Sequence, residues 1–228
     1  MEIVEIKEKD YQKVVELTKE LLNFNFLLSR ENEGFNNSLS TFVASTIVKD
    51  ATNGAFIETI DGKKIGMIIY KIPNNPKLFS SLVTDFQTNL NVFQKYIRDF
   101  GVSNNEKIII NKEIDVANAF KYLAHQYEEF IYNKAEIDLL WIHPQYRGKY
   151  LSKSLFNKFF DDLQKVFIND FYLYTTSEHN FRFYEKINMK CFETIIYDNN
   201  TSPEYLKYKF KIPYKAFIYF GNRNEIIL

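Results

Sequence analysis

Arg147 and Lys149 flank Gly148 in the run Trp141-Ile142-His143-Pro144-Gln145-Tyr146-Arg147-Gly148-Lys149-Tyr150-Leu151-Ser152, and this trio has the chemistry to hold a phosphate. The two side chains bring positive charge, and glycine lets the main chain come close to a ligand. Residues 135–140 ahead of the run are β-rich. Behind it Leu151, Leu155, Phe156, Phe159 and Leu163 recur at helical spacing as one apolar stripe. The run therefore joins a strand to a helix N-terminus, where the first N–H groups have no intrahelical acceptor and the dipole favours an anion. A surface turn with no ligand is the plainer reading of the same residues. The chain has neither G-x-x-x-x-G-K-[ST] nor G-x-G-x-x-G, which turns the reading away from P-loop nucleotides and dinucleotides.

A second run lies downstream. Phe171-Tyr172-Leu173-Tyr174-Thr175-Thr176 reads as a strand, and residues 178–187 of Ser177-Glu178-His179-Asn180-Phe181-Arg182-Phe183-Tyr184-Glu185-Lys186-Ile187-Asn188-Met189 read as a short helix. Taken in this order, the two runs resemble motifs A and B of the GNAT superfamily of acetyl-CoA-dependent N-acetyltransferases. Motif A is written x-P-x-[YF]-R-G-x-G-[IL]-G after a strand; Pro144, Tyr146, Arg147, Gly148 and Leu151 fit it, while Tyr150 and Ser152 stand at two glycine positions. Ser152 is small and can donate to a phosphate, whereas Tyr150 calls for a loop that does not demand a positive φ there. In motif B, F-Y-x-K-x-G-F, Asn188 replaces the glycine and Met189 the last aromatic. Asn tolerates the left-handed conformation, so the helix end survives.

The resemblance implies a mixed α/β (α+β) fold, a GNAT-type central twisted mixed sheet of about seven strands flanked by helices. It also implies direct attack of an amine on acetyl-CoA in a ternary complex. Arg147, Gly148, Lys149, Tyr150, Leu151 and Ser152 are then the expected diphosphate loop. The backbone of Leu140, Trp141 and Ile142 is expected to pair with the pantetheine, one N–H facing the thioester oxygen. Asn180 either bonds the pantetheine or caps the short helix. Tyr184 matches the tyrosine that gives a proton to the departing sulfur, or else it packs the helix on the sheet. Glu136 stands where the histone-acetylating branch carries a carboxylate that orders a water for the amine, or it belongs to a strand start that projects into solvent. Alternation puts Asp138 on the same face as Glu136. Acetyl-CoA is the expected co-substrate, with no metal. The acceptor is a primary amine of a metabolite, polyamine, antibiotic, peptide or protein. Two other readings stand beside this one: a catalytically silent acyl-CoA sensor or scaffold, motivated by the missing glycines, and a longer acyl chain in a tunnel shaped by Trp141 or Tyr150.

Other elements must position these residues. Residues 1–6 alternate as a strand, and Asp10 is placed to cap a helix with Tyr11, Val14, Val15, Thr18 and Leu22 on one side. Residues 55–60 and 64–72 are β-rich around Asp61-Gly62, a hairpin signature that matches the family's second and third strands. Residues 73–134 are an expected helical insertion, with helices over 90–100 and 114–131. It serves as a lid or specificity wall, or it only supports packing or a homodimer. Residues 191–197 and 205–212 read as two terminal strands about Asp198-Asn199-Asn200. Residues 213–228 form an extension past the family pattern, with no role found.

Composition narrows the classes. With 228 residues, 46% of them hydrophobic, the chain can bury the core of a single domain. A formal net charge of +0 excludes a nucleic-acid binder that relies on a broadly basic surface. One cysteine, Cys191, excludes an intramolecular disulfide framework, and its place at a strand start favours a buried inert thiol over a nucleophile. His143, His125 and His179 recur at no metal spacing. Aromatics are 17% of the chain and fall at apolar positions, which favours core packing over base stacking. The chain shows no leader-like N-terminus and no membrane-length apolar run, so a cytoplasmic protein is expected, with neither nucleic acid nor membrane as partner.

Overall fold

The computed structural model describes residues 1–22, 33–80, 83–198, 200–201 and 212–228, which gather into two compact units. The first comprises Met1–Lys107 and Ile137–Asp162, the second Ile108–Glu136 and Leu163–Leu228. In chain order the elements are β1 (Glu2–Glu5), α1 (Tyr11–Leu22), α2 (Glu33–Val48), β2 (Asn53–Glu58), β3 (Lys64–Lys71), α3 (Val83–Phe100), α4 (Asn104–Gln126), α5 (Glu128–Ile131), β4 (Ala135–Ile142), α6 (Leu151–Lys165), β5 (Asp170–Thr176), α7 (Arg182–Lys186), β6 (Lys190–Tyr197) and β7 (Tyr214–Asn222). The fold is mixed α/β, seven strands with helices against them, as expected.

In the first unit the strands lie in the order β1-β2-β3-β4. Asp61 and Gly62 close the β2-β3 hairpin as predicted, Gly62 taking the left-handed φ of 81° that glycine adopts without steric cost. Side-chain alternation sorts the strands into two faces. Phe56, Met67, Ile69, Leu139 and Trp141 pack under the apolar stripe of α1 (Val14, Val15, Leu17) and under Ala44 and Val48 of α2. On the other face Tyr70 meets Phe159 of α6 edge-on at 4.8 Å and donates its hydroxyl to Asp162 at 2.6 Å. Asp10 closes a 3-10 turn ahead of α1, its carboxylate accepting from the Lys7 N–H at 2.9 Å.

The second unit orders its strands β5-β7-β6. Residues 213–228, which carried no role in sequence, supply β7, antiparallel to β5 on one side and β6 on the other. Ala216 to Phe220 is a nearly unbroken apolar stretch. Such a run suits a strand covered on both faces, and it lacks the alternation that marks a half-buried one. The predicted strand over 205–212 falls, up to residue 211, outside the described residues. Helix α4 lies on this sheet: Leu123 packs with Tyr172, Ala216 and Ile218, and Phe120 meets Tyr174 at 5.1 Å.

Residues 73–134 hold α3, α4 and α5, and α4 starts ten residues before the predicted helix start at 114. A capping box explains the start. The Ser103 Oγ accepts from the Glu106 N–H at 3.2 Å, and the Glu106 carboxylate accepts from the Ser103 N–H at 2.7 Å. The S-x-x-E pattern was there in sequence to be read.

Candidate active site

The phosphate-binding candidates sit in the first unit. Strand β4 ends at Ile142, and the His143 N–H donates to the Ile65 carbonyl at 2.9 Å, prolonging the pairing with β3 by one residue. The chain then makes a 3-10 turn over Pro144–Tyr146, where Pro144 supplies the φ such a turn needs and the His143 Nδ1 accepts from the Gln145 N–H at 3.3 Å. Arg147, Gly148 and Lys149 follow, all exposed, and α6 opens at Leu151. Gly148 has φ 77°, and a Cβ built on it would meet nothing within 4 Å; glycine is favoured there by backbone conformation, with open space above it.

Tyr150 corrects the sequence reading. Its φ is 57°, inside the left-handed region, although a tyrosine at this glycine position was expected only with a negative φ. The ring is 82% exposed, so side-chain packing does not impose the conformation. The path from Gly148 into the first turn of α6 does, with the Lys153 N–H bonding the Tyr150 carbonyl at 3.1 Å. The loop thus takes two left-handed residues, Gly148 and Tyr150, only one of them a glycine. Arg147 turns its Nε back to the Ile142 carbonyl at 3.2 Å, and the Lys149 ammonium lies 5.1 Å from the Tyr146 ring centroid. Lys63 approaches that ring from the hairpin, at 5.8 Å.

Leu140 and Ile142 are half-buried on one face of β4 while Trp141, 3% exposed, joins the α1-α2 core on the other. Trp141 and His143 also line a cavity of about 380 Å³ with Lys13, Leu17, Gly62 and Lys63. Asp138 is 5% exposed and paired with Lys71 at 2.7 Å, the reason a carboxylate is tolerated inside this strand.

The remaining candidates lie in the second unit. Glu136 is half-buried, and its Oε2 accepts the Tyr172 hydroxyl at 3.1 Å, a cross-strand bond rather than a carboxylate left in solvent. Asn180 is exposed. Its carbonyl accepts from the Phe183 N–H at 3.1 Å, and Phe181, the N-cap residue of α7, makes no side-chain cap bond. Tyr184 is half-buried, 5.3 Å from the Tyr219 ring; burial pushes its hydroxyl up to about 12. Helix α7 ends as expected on Asn188, with φ 71°. The Met189 N–H reaches the Tyr184 carbonyl at 3.0 Å and the Asn188 N–H reaches that of Glu185 at 3.1 Å, the pair of bonds of a Schellman end. Cys191 is half-buried, and desolvation raises its thiol, the direction opposite to that of an activated nucleophile.

Of the residues singled out from sequence, 140–142 and 147–152 belong to the first unit and Glu136, Asn180 and Tyr184 to the second. Sequence reasoning did not find the Tyr172 partner of Glu136 or the Lys71 partner of Asp138, and neither pair has a local spacing that would have revealed it.

No protein-family model matches the chain, and no curated protein sequence does. Solved structures do. Arylalkylamine N-acetyltransferase 2 from Aedes aegypti aligns with a TM-score of 0.56 at 16% identity, over 98% of this chain and 99% of its own. An acetyltransferase of the GNAT family from Staphylococcus aureus Mu50 aligns at 0.47 and 10% identity, over 97% and 98%. The PaiA N-acetyltransferase of Thermoplasma acidophilum, in complex with coenzyme A, aligns at 0.45 and 18%, over 97% and 99%. The first of these carries the comparison: the chain shares its fold with that arylalkylamine N-acetyltransferase. Among the described residues, no helix is long and apolar enough to cross a membrane.

Proposed function

We propose that this protein transfers an acetyl group from acetyl-CoA to a primary amine, by direct attack of the amine on the thioester in a ternary complex. The observation that carries the reading is the loop from His143 to Ser152. Two exposed cations and a left-handed glycine lead into a helix N-terminus, and the loop holds its shape even where a tyrosine must take a positive φ. The donor set fits a diphosphate. Arg147 and Lys149 supply charge, and the N–H groups of Leu151 and Ser152, in the first turn of α6, have no intrahelical acceptor. Leu140 to Ile142 offer extended backbone to the pantetheine, and an N–H in this stretch is the donor for the thioester oxygen as charge develops on it.

Glu136 is the base in this reading, acting through a water on the ammonium of the acceptor. Tyr172 holds one of its oxygens and so orients the other. Tyr184 faces the departing sulfur. With its hydroxyl near 12, it stays protonated through the neutral range. Full proton transfer to a thiolate of ordinary pKa, about 8.5, is uphill by about 5 kcal/mol. Tyr184 therefore acts as a hydrogen-bond donor that stabilises the growing charge on sulfur and keeps its own proton, and coenzyme A leaves as the thiolate. The shared fold with an arylalkylamine N-acetyltransferase is in keeping with an amine acceptor.

A second reading, an acyl-CoA-binding protein without turnover, is favoured by one observation: the Glu136 carboxylate is already engaged by Tyr172. Release of coenzyme A, followed with a thiol reagent across aryl-, alkyl- and polyamines and lysine peptides, separates the two. Turnover above acetyl-CoA hydrolysis with any amine supports transfer. Tight binding with no amine-dependent release rejects it in favour of the binding protein.

A further inference from the structure

The turn after β5 is held from two sides by buried polar groups that the reaction above does not use. Lys112 of α4 is 4% exposed, and its ammonium lies 2.8 Å from the Glu178 Oε2 and 3.5 Å from the Glu113 Oε1. Tyr214, the first residue of β7, donates its hydroxyl to the same Glu178 oxygen at 2.6 Å and lays its ring 5.6 Å from the Lys112 ammonium. Ser177 is tied to the strand as well: its N–H donates to the Lys215 carbonyl and its Oγ accepts from the Lys215 N–H, both at 3.0 Å.

Burying a lysine carries a desolvation cost and the loss of a long side chain's rotamer freedom, and apolar residues of equal volume generally stabilise a fold at least as well. What a buried ion pair gives in exchange is a single geometry. Here the geometry so defined is that of residues 177–180, and two residues beyond the turn begins α7, which carries Tyr184. Lys112 reaches this turn from the helical segment inserted between β3 and β4, and Tyr214 from the strand that had no role in sequence.

We infer that Lys112 and Tyr214 are positioning residues for acyl-CoA: together they clamp Glu178 and thereby hold the turn that presents Asn180 to the pantetheine. The inference rests on the proposed function and gives α4 a part in it.

Titration calorimetry with coenzyme A tests it, on the parent, Lys112→Met, Glu178→Gln, Tyr214→Phe and the Lys112→Met/Glu178→Gln pair, each with a urea denaturation curve. The expected result is a dissociation constant raised about tenfold by Lys112→Met and by Glu178→Gln, and about threefold by Tyr214→Phe. The double variant should be no weaker than the worse single one, because both remove one clamp. In steady state, KM for acetyl-CoA should rise more than kcat falls. A merely structural clamp lowers the urea midpoint and leaves the affinity of the folded protein at the parent's value; that outcome overturns the inference. Should Lys112→Met fail to fold, Tyr214→Phe decides, since it removes a single oxygen, and an unchanged affinity there sinks the proposal. A parent that binds no coenzyme A removes the proposed function and the clamp with it, whereas a parent that binds while all variants bind equally removes the clamp alone.

Discussion

Replacing Tyr150 by glycine should stabilise the protein, and the size of the gain can be worked from the backbone. At φ 57° the tyrosine Cβ crowds the following carbonyl, a strain of about 1–2 kcal/mol for any residue other than glycine. Glycine relieves it but loses about 0.4–1 kcal/mol relative to alanine through the greater freedom of its unfolded chain. The difference leaves glycine about 0.8 kcal/mol ahead of alanine at this position. Alanine is the right control because it keeps the strain and discards the ring, which at 82% exposure has little packing to lose. For a chain of 228 residues that free energy corresponds to about 2–3 °C in melting temperature. Parallel urea titrations of Tyr150→Gly and Tyr150→Ala, compared at equal m-value, make the measurement. The reasoning is refuted if alanine is as stable as glycine, for then the left-handed conformation is not one the loop imposes. In the same variants, coenzyme A affinity should hold for glycine, because the loop path it adopts is unchanged.

Four further outcomes are expected. Arg147→Ala should weaken coenzyme A binding about tenfold, one charge-assisted contact, while the urea midpoint stays within error because the side chain is exposed. Tyr184→Phe should lower kcat about a hundredfold, the loss of one hydrogen bond to the charge growing on sulfur, with binding nearly intact; equal rates at saturating acetyl-CoA would remove it from the chemistry. Tyr70→Phe should cost about 1–3 kcal/mol in urea titration, since it strips a buried hydrogen bond from Asp162, which also pairs with Lys158. Desolvation raises the Glu113 carboxyl above its ordinary 4.5, so between that value and the raised one the folded state holds more protons than the unfolded state. Stability therefore falls as pH rises through this window. Glu113→Gln should lack that slope, which a series of urea curves from pH 4 upward would read as a stability advantage of the variant that grows with pH.

What the chain determines by itself is what its dihedral preferences and periodicities encode within about ten residues. The alternation of β4, the apolar stripe of α6, the Asp61-Gly62 turn and the left-handed Asn188 were legible for that reason. So was the basic loop, because a glycine between two cations at a helix start carries its chemistry locally. The capping box at Ser103 was equally local and was overlooked. Tertiary structure alone decided the rest. Strand β7 needed two partners, β5 and β6, to declare itself, since an apolar run covered on both faces has no alternation to read. Tyr150 takes a conformation that its own side chain disfavours, because the chain on either side of it leaves no other path. Glu136 with Tyr172 and Lys112 with Glu178 are separated by 36 and 66 residues. No spacing rule links such pairs, and only the folded topology brings each carboxylate to its partner.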